Sequence, residues 1–283
     1  MSHGAPSTLY PRISRAARRF TGSWNRVGEQ TQFYARTIGS LGDALLNYRL
    51  EVMRLIAQMS LGVGALLMVG GTVVVIGFLT AAAGSLVAVQ GYNALSGIGI
   101  EALIGFFSAY FNTRLAGPLI ATVGLSATIG AGATAQLGAM RINEEIDALE
   151  VIGVRSVAYL ASTRVAAGVI VVIPLYCAAA VMAFVGSRVS ISFYGQSAGV
   201  YNHYFNTFLV STDLIWSSLI VVCSGTVVML VHTYYGYNAS GGPAGVGEAV
   251  GRAVRTSLIF AVIVVLFVSL AIYGPTGQFH IAD

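Results

Sequence analysis

Four carboxylates, Glu144, Glu145, Asp147 and Glu150, fall within seven residues of the stretch AMRINEEIDALEVIGV (139–154), and the whole chain has only eleven acidic residues. Other residues able to do chemistry are sparse or poorly placed. His3, His203, His232 and His280 show no metal-ligand spacing, and no serine or cysteine sits in a recognisable nucleophile pattern. Cys177 and Cys223 lie inside apolar runs, where free cysteine packs as a small hydrophobe. All fifteen basic residues are arginine, and the absence of lysine excludes a phosphate-binding-loop ATPase and any lysine Schiff base. The residues therefore predict a chain that does no bond chemistry and holds no metal or cofactor of its own.

The elements that must position the carboxylates are apolar. Of 283 residues, 56% are hydrophobic and 9% charged, beyond the apolar share of about 45–50% in soluble domains. A spanning helix needs about 20 apolar residues, and five candidates are present: 60–83, 105–129, 165–185, 214–233 and 256–273. The fold class expected is an all-α integral membrane protein. The first apolar run begins near residue 60, so no cleavable signal peptide is expected.

Arginine sets the orientation, because basic loops stay cytoplasmic. Arg12, Arg15, Arg18, Arg19, Arg26, Arg36, Arg49 and Arg54 precede the first span; Arg141, Arg155 and Arg164 follow the second, and Arg252 and Arg255 precede the fifth. The N-terminus is thus expected in the cytoplasm, the C-terminus on the periplasmic side of a plasma membrane, and the acidic stretch in the cytoplasm. The net charge of +4 suits anchoring at a membrane surface better than nucleic acid, since the arginines are dispersed and flank apolar segments.

Residues 1–30 form an arginine-rich extension with little periodicity. Over 31–58, Ile38, Leu41, Leu45, Tyr48, Val52 and Leu55 recur at steps of three and four, predicting an amphipathic helix at the membrane interface. A soluble helix packed on a partner is the alternative, and Gly39 and Gly42 weaken any helix there. The permease domain would then occupy 59–283. Within it, VQGYNALSGIG (89–99) interrupts the apolar pattern with Gln90, Tyr92 and Asn93 and predicts a re-entrant or outer-face turn. Arg114 precedes Gly117-Pro118 at the start of the second span, where an arginine serves function or snorkels to headgroups. Ala127, Ala131, Ala135 and Ala139 form one small-residue row, with Gly130, Thr134 and Gly138 beside it; such rows let membrane helices approach closely.

Read as a helix over about 139–154, the acidic stretch puts Ile142, Ile146, Leu149 and Gly153 on one face and Asn143, Asp147 and Glu150 on another. It is too short and too charged to span. A basic partner protein would explain the carboxylates; a solvated loop is the alternative.

LGAMRINEEIDALEVIGV resembles the signature of the MlaE/YrbE permeases, membrane subunits of lipid-transporting ABC systems that work with MCE-domain proteins. The similarity runs from about residue 35, through VQGY after the first span, AGPLIA opening the second and YYGYNASGGPAGVGEAVGRAV before the fifth. ASTRVAAGVIVVIPLY and YYGY, with the arginine-rich extension, are most similar to the B-type YrbE subunit of actinobacterial Mce (mammalian cell entry) transporters. The resemblance implies an MlaE-like permease fold and a coupling helix carrying Arg141, Asn143, Glu144, Glu145, Asp147 and Glu150 into a groove of a separate ATPase dimer, which binds ATP and magnesium. It also implies pairing with an A-type permease or a second copy, MCE proteins on the outer side, and a substrate path near Gln90, Tyr92, Arg114 and Leu115. Import of fatty or mycolic acids or sterols is the expected function. Gram-negative relatives have a glutamate where Leu115 stands, and an arginine and a glutamate where Thr128 and Gln136 stand, so the path here suits a less polar lipid.

A secondary transporter or channel would place ionisable groups near the bilayer midplane, and the sequence has almost none there. The arginine count yields a first test. Cysteines introduced at position 15 and at position 283 should react with a membrane-impermeant thiol reagent from the inside and the outside respectively; the reverse pattern would invert the topology.

Overall fold

A computed structural model describes residues 27–61 and 69–274, with side chains described outside 61–72. The extension 1–26, residues 62–68 and the C-terminal 275–283 lie outside the described residues. Twelve α-helices and no strand occur among the described residues: α1 (27–39), α2 (Leu41–Asn47), α3 (Arg49–Leu61), α4 (Val69–Ser96), α5 (Ile104–Phe111), α6 (Gly117–Leu125), α7 (Ala131–Ile142), α8 (Glu145–Val151), α9 (Thr163–Phe193), α10 (Ala198–Phe208), α11 (Ser211–Tyr237) and α12 (Gly242–Tyr273). Turns of π-helix at Asn112–Ala116, Ser126–Gly130 and Val157–Ser162 join α5 to α6, α6 to α7, and lead into α9.

Five helical stretches are long and apolar enough to cross a membrane: Val73–Ser96, Glu101–Ile142, Val157–Phe193, Ser211–Tyr237 and Gly242–Tyr273. The chain is an all-α integral membrane protein. Its two ends are named here by the short helices they carry, the α8 end and the α10 end.

Several boundaries move from those the apolar pattern predicts. The first span, described from Val69, runs on through Gln90, Tyr92 and Asn93 to Ser96, so the interruption in VQGYNALSGIG is a helix end and the turn is confined to the residues around Gly99, at φ 75°. Polarity does not end a helix; a backbone that must reverse does, and Gly91 within the helix gives room to the Phe107 and Ile104 side chains, which a Cβ there would meet. The second span is 42 residues long, because the apolar scale misses the small and polar residues of ATAQLGAMRI that continue the helix. α10, between the third and fourth spans, has no counterpart in the predicted elements; Ser197 caps it by accepting a hydrogen bond from the Val200 amide.

The N-terminal segment folds as three short helices broken at Ser40 and Tyr48. Its stripe splits between two surroundings. Val52 and Leu55 are buried with Ala166 and Ala167 of α9, whereas Ile38 and Leu45 are exposed, as are Leu46, Leu50 and Met53 outside the stripe. The segment is thus fixed to the bundle on one side, and its other side exposes these apolar side chains together with Arg36, Arg49 and Arg54.

Spanning helices gain little hydrophobic force from each other in lipid, so close packing and hydrogen bonds hold them. The tightest pair is α4 with α9: a Cβ on Gly84 would fall on the Ala183 carbonyl, and one on Gly186 on the Ala81 carbonyl. Ser187 Oγ donates to Gly84 O at 2.8 Å and Ser85 Oγ to Gly186 O at 3.0 Å, which the close approach permits. Asn112 extends this contact by donating to Ser187 Oγ (2.9 Å) and Ser108 Oγ (3.2 Å), and Tyr201 of α10 donates to Ser108 Oγ (2.9 Å). Gly186→Ala should therefore cost about 1–3 kcal/mol, as overpacking does elsewhere, whereas Gly132, with nothing within 4 Å of its Cβ position, should accept Ala without loss. Thermal unfolding in detergent reads both; equal stability of the two variants would show that α4 and α9 are not held at this contact.

Candidate functional site

The acidic stretch is not one helix. α7 ends at Ile142, and Glu144 takes φ 60°, the only non-glycine residue with positive φ among the described residues. This reversal starts α8 afresh at Glu145. α8 ends in a Schellman turn, with Gly153 at φ 83°, its amide bonded to Glu150 O (3.0 Å) and the Val154 amide to Leu149 O (3.0 Å). Seven residues make a marginal helix alone, so tertiary contacts must hold it.

Those contacts come from the underside. Ile146 is fully buried with Leu137 and Leu160, and Met140, Leu149, Tyr159 and Tyr237 close around them. The Glu150 carboxylate accepts hydrogen bonds from Ser156 Oγ and from Tyr237 Oη (3.1 Å), which ties α8 to the end of α11. Arg155, just after α8, pairs with Asp43 of α2 at 2.9 Å.

The other side of α8 is left to solvent. Asp147 pairs with Arg141 at 2.7 Å on the surface; Asn143, Glu144 and Glu145 are exposed with no side-chain bond among the described residues. Val151 and Ile152 are 86% and 73% exposed. Acidic and bulky apolar side chains thus share one tip, on a base that cannot shift without moving α7 and α11.

Gly130, Thr134 and Gly138 lie inside the bundle, while Ala127 and Ala139 of the neighbouring row are exposed. A Cβ on Gly130 would meet the His232 ring at 2.5 Å, and one on Gly138 would meet Val246 at 2.8 Å. The row thus faces α11 and α12. Thr134 Oγ1 lies 2.7 Å from His232 Nδ1, 3.0 Å from His232 O and 3.1 Å from Gly130 O. On the far side of the ring, Nε2 lies 3.2 Å from Ser126 Oγ and 3.1 Å from Ser257 Oγ, themselves 2.7 Å apart.

The tautomer with the proton on Nδ1 satisfies the cluster. Thr134 donates to a backbone carbonyl and accepts from Nδ1–H, leaving Nε2 to accept from a serine hydroxyl. A neutral imidazole fits with no counter-ion. His232 was invisible as a site because no ligand spacing marks it; an ionisable residue in an apolar run was the available signal. The π-turn at Ser126–Gly130 and the absent Gly130 side chain give the ring its place.

Arg114 sits at the α10 end on the π-turn Asn112–Ala116. Its guanidinium holds Asp213 of α11 with two contacts of 2.9 Å and lies 4.2 and 4.4 Å from the ring centres of Tyr110 and Tyr273. Leu115 beside it is exposed. Gln90 is exposed on α4, and the Tyr92 ring packs on Tyr194, in a cluster with Ile104, Ile191 and Tyr201. Arg114 and Tyr92 thus serve different helix junctions. A second arginine missed as a site, Arg164 at the base of α9, is buried, donating to Leu160 O (3.0 Å), with its Nε unpartnered among the described residues.

A five-span α-helical bundle with a short, rigidly based helix at one end has the build of a transporter's membrane subunit. The family described as Permease MlaE matches residues 63–271, and the chain belongs to that family. It is 29% identical to a probable ABC transporter permease protein of Rickettsia bellii, over 84% of this chain and 93% of the relative. A probable ABC transporter permease protein of Synechocystis is 26% identical, over 64% and 69%. The protein TRIGALACTOSYLDIACYLGLYCEROL 1, chloroplastic, of Arabidopsis thaliana is 26% identical, over 57% and 47%. The chain is the permease subunit of an ABC-type transporter and a multi-pass membrane protein.

The histidine cluster gives a sharp test. Thr134→Val keeps the shape but leaves Nδ1–H unpaired, a loss of about 1–3 kcal/mol, and Thr134→Ser should restore most of it. Unfolding of the purified protein in mixed micelles measures both; T134V matching wild type would mean the hydroxyl contributes nothing.

Proposed function

We propose that this permease moves a hydrophobic lipid across the plasma membrane, driven by a separate cytoplasmic ATPase dimer that docks on α8. The observation that carries the reading is the two-sided build of α8, with Ile146 and Glu150 fixed to the bundle beneath and Glu145, Val151 and Ile152 bare above. Bulky apolar side chains rimmed by charge on a fixed base are what a protein partner's pocket receives. A nucleotide-driven push on α8 would pass through Ile146 to Leu137 and through Tyr237 to α11.

The orientation follows from arginine: with the α8 end in the cytoplasm, Arg36, Arg49, Arg54, Arg141, Arg155, Arg252 and Arg255 face the inside. ATP and magnesium belong to the partner, and this chain needs no cofactor. A lipid cargo is supported by the family, by the diacylglycerol in the Arabidopsis relative's name, and by the scarcity of charge along the spans. The Mce resemblance favours a B-type subunit paired with an A-type one beneath MCE-domain proteins, importing fatty or mycolic acids or sterols. Arg114, held between Tyr110, Tyr273 and Asp213, would brace the α10 end of that path.

Asp147 already holds Arg141, so Asp147→Arg also sets two arginines against each other, and Glu145→Arg and Val151→Asp isolate docking more cleanly. All three should insert and fold, yet lose ATPase with a penalty of ~2 kcal/mol or more, about thirtyfold in affinity, together with ATP-driven lipid transfer. Glu248→Arg, which breaks only the surface pair with Arg252, should have little effect. Normal ATPase content and normal lipid transfer in both E145R and V151D would refute docking at α8.

A further inference from the structure

Two arginines lie at the α10 end. Arg114 is neutralised by Asp213, whereas the side chain of Arg188, on α9, is exposed and makes no ion pair or hydrogen bond among the described residues. An unpaired arginine within a spanning helix is costly unless water or an anion meets it. Arg188 borders a hollow of about 280 Å³ between α9 and α10, lined also by Phe184, Tyr201, Asn202, Phe205 and Asn206.

The walls of the hollow are fixed. Phe205 packs edge-on against Phe184 at 5.0 Å and stacks on Tyr201 at 5.7 Å, and the Tyr201 hydroxyl is committed to Ser108. Asn202 and Asn206 are one helical turn apart, so both amides lie on one side of α10, and neither makes a side-chain bond among the described residues. A guanidinium and two free amides over an aromatic floor suit an anionic group with several oxygens. Sites that enclose a small molecule hold roughly 300–1,000 Å³. This hollow takes a headgroup and leaves any tail outside.

The tail has a place. Val185 lines the same hollow, and one turn towards the α8 end Val181 lines a second groove, about 650 Å³, between α9 and α4. There Phe78, Val74 and Gly77 of α4 face Cys177, Ala178 and Met182 of α9, with almost no polar atom among them. From Arg188 to Cys177 is eleven residues, about 16 Å at ~1.5 Å per residue, half of a hydrocarbon core of ~30 Å. The strip therefore has the length of one leaflet, charged at its outer limit and apolar along its depth.

We propose that Arg188, Asn202 and Asn206 bind the carboxylate or phosphate headgroup of an anionic amphiphile whose acyl chain lies along α9 in the groove against α4. The site needs only the membrane, so it stands or falls apart from the transport reading. Its occupant is either the transported lipid or a resident lipid of that leaflet, which share this chemistry.

The full chain, in complex with its ATPase in phosphatidylcholine nanodiscs, is irradiated with palmitate carrying a diazirine near the chain end, and labelled peptides are mapped by mass spectrometry. Label should fall on residues 73–82 and 177–185. The methyl ester of the probe should label about tenfold less, since a charge-assisted contact is lost, and R188Q should reduce the acid to the level of the ester while R188K retains most of the signal. Loss of label on adding ATP identifies the occupant as cargo, and its retention as a resident lipid; both leave the site in place. Equal labelling by acid and ester, no effect of R188Q, or competition by inorganic phosphate as strong as by unlabelled palmitate would overturn the proposal. So would cross-linking of a second permease subunit, in place of the probe, by benzoylphenylalanine at position 78.

Discussion

Lipid offers no water to complete hydrogen bonds and no hydrophobic gain for pressing one apolar helix on another. The bundle therefore depends on backbones that come close enough to bond side chain to main chain, which happens where a side chain is missing. Gly84 and Gly186 let α4 and α9 meet carbonyl to glycine, so that Ser85 and Ser187 can donate across the gap. Gly130 does the same for the His232 ring, and Gly236, whose Cβ position is 2.9 Å from Thr134 O, for the crossing of α7 and α11. Each glycine is a point of contact rather than a point of freedom.

These contacts explain how a short helix at one end can matter to the whole. α8 is too brief to persist alone, and its order is borrowed from Leu137, Leu160 and Tyr237. Leu137 is on the helix that carries Thr134, and Tyr237 on the helix that carries His232. The second, fourth and fifth spans are joined by one hydroxyl and imidazole cluster a few residues inward. A force applied at α8 meets a braced unit rather than a loose loop.

The five spans are legible in the sequence because twenty apolar residues in a row have few other uses, and the acidic segment is legible because carboxylates are rare here. Helix ends are not legible wherever polarity and backbone geometry part company. Gln90 and Asn93 remain helical, while Ile142 and Ile146, both apolar, are separated by the left-handed turn at Glu144. The internal use of Glu150 could not be read either, since Ser156 is near in sequence but Tyr237 lies 87 residues away. α10 and the His232 cluster escaped because their partners come from three or more helices, and composition carries no record of which spans touch.

The central claim is that α8 is the surface through which an ATPase drives the bundle. A photo-reactive amino acid placed at Ile152, 73% exposed at the tip of α8, tests it in the assembled complex. The account predicts a cross-link to the ATPase subunit whose yield changes between nucleotide-free and ATP-bound states. Cross-links to lipid alone, or to no partner in either state, would contradict it.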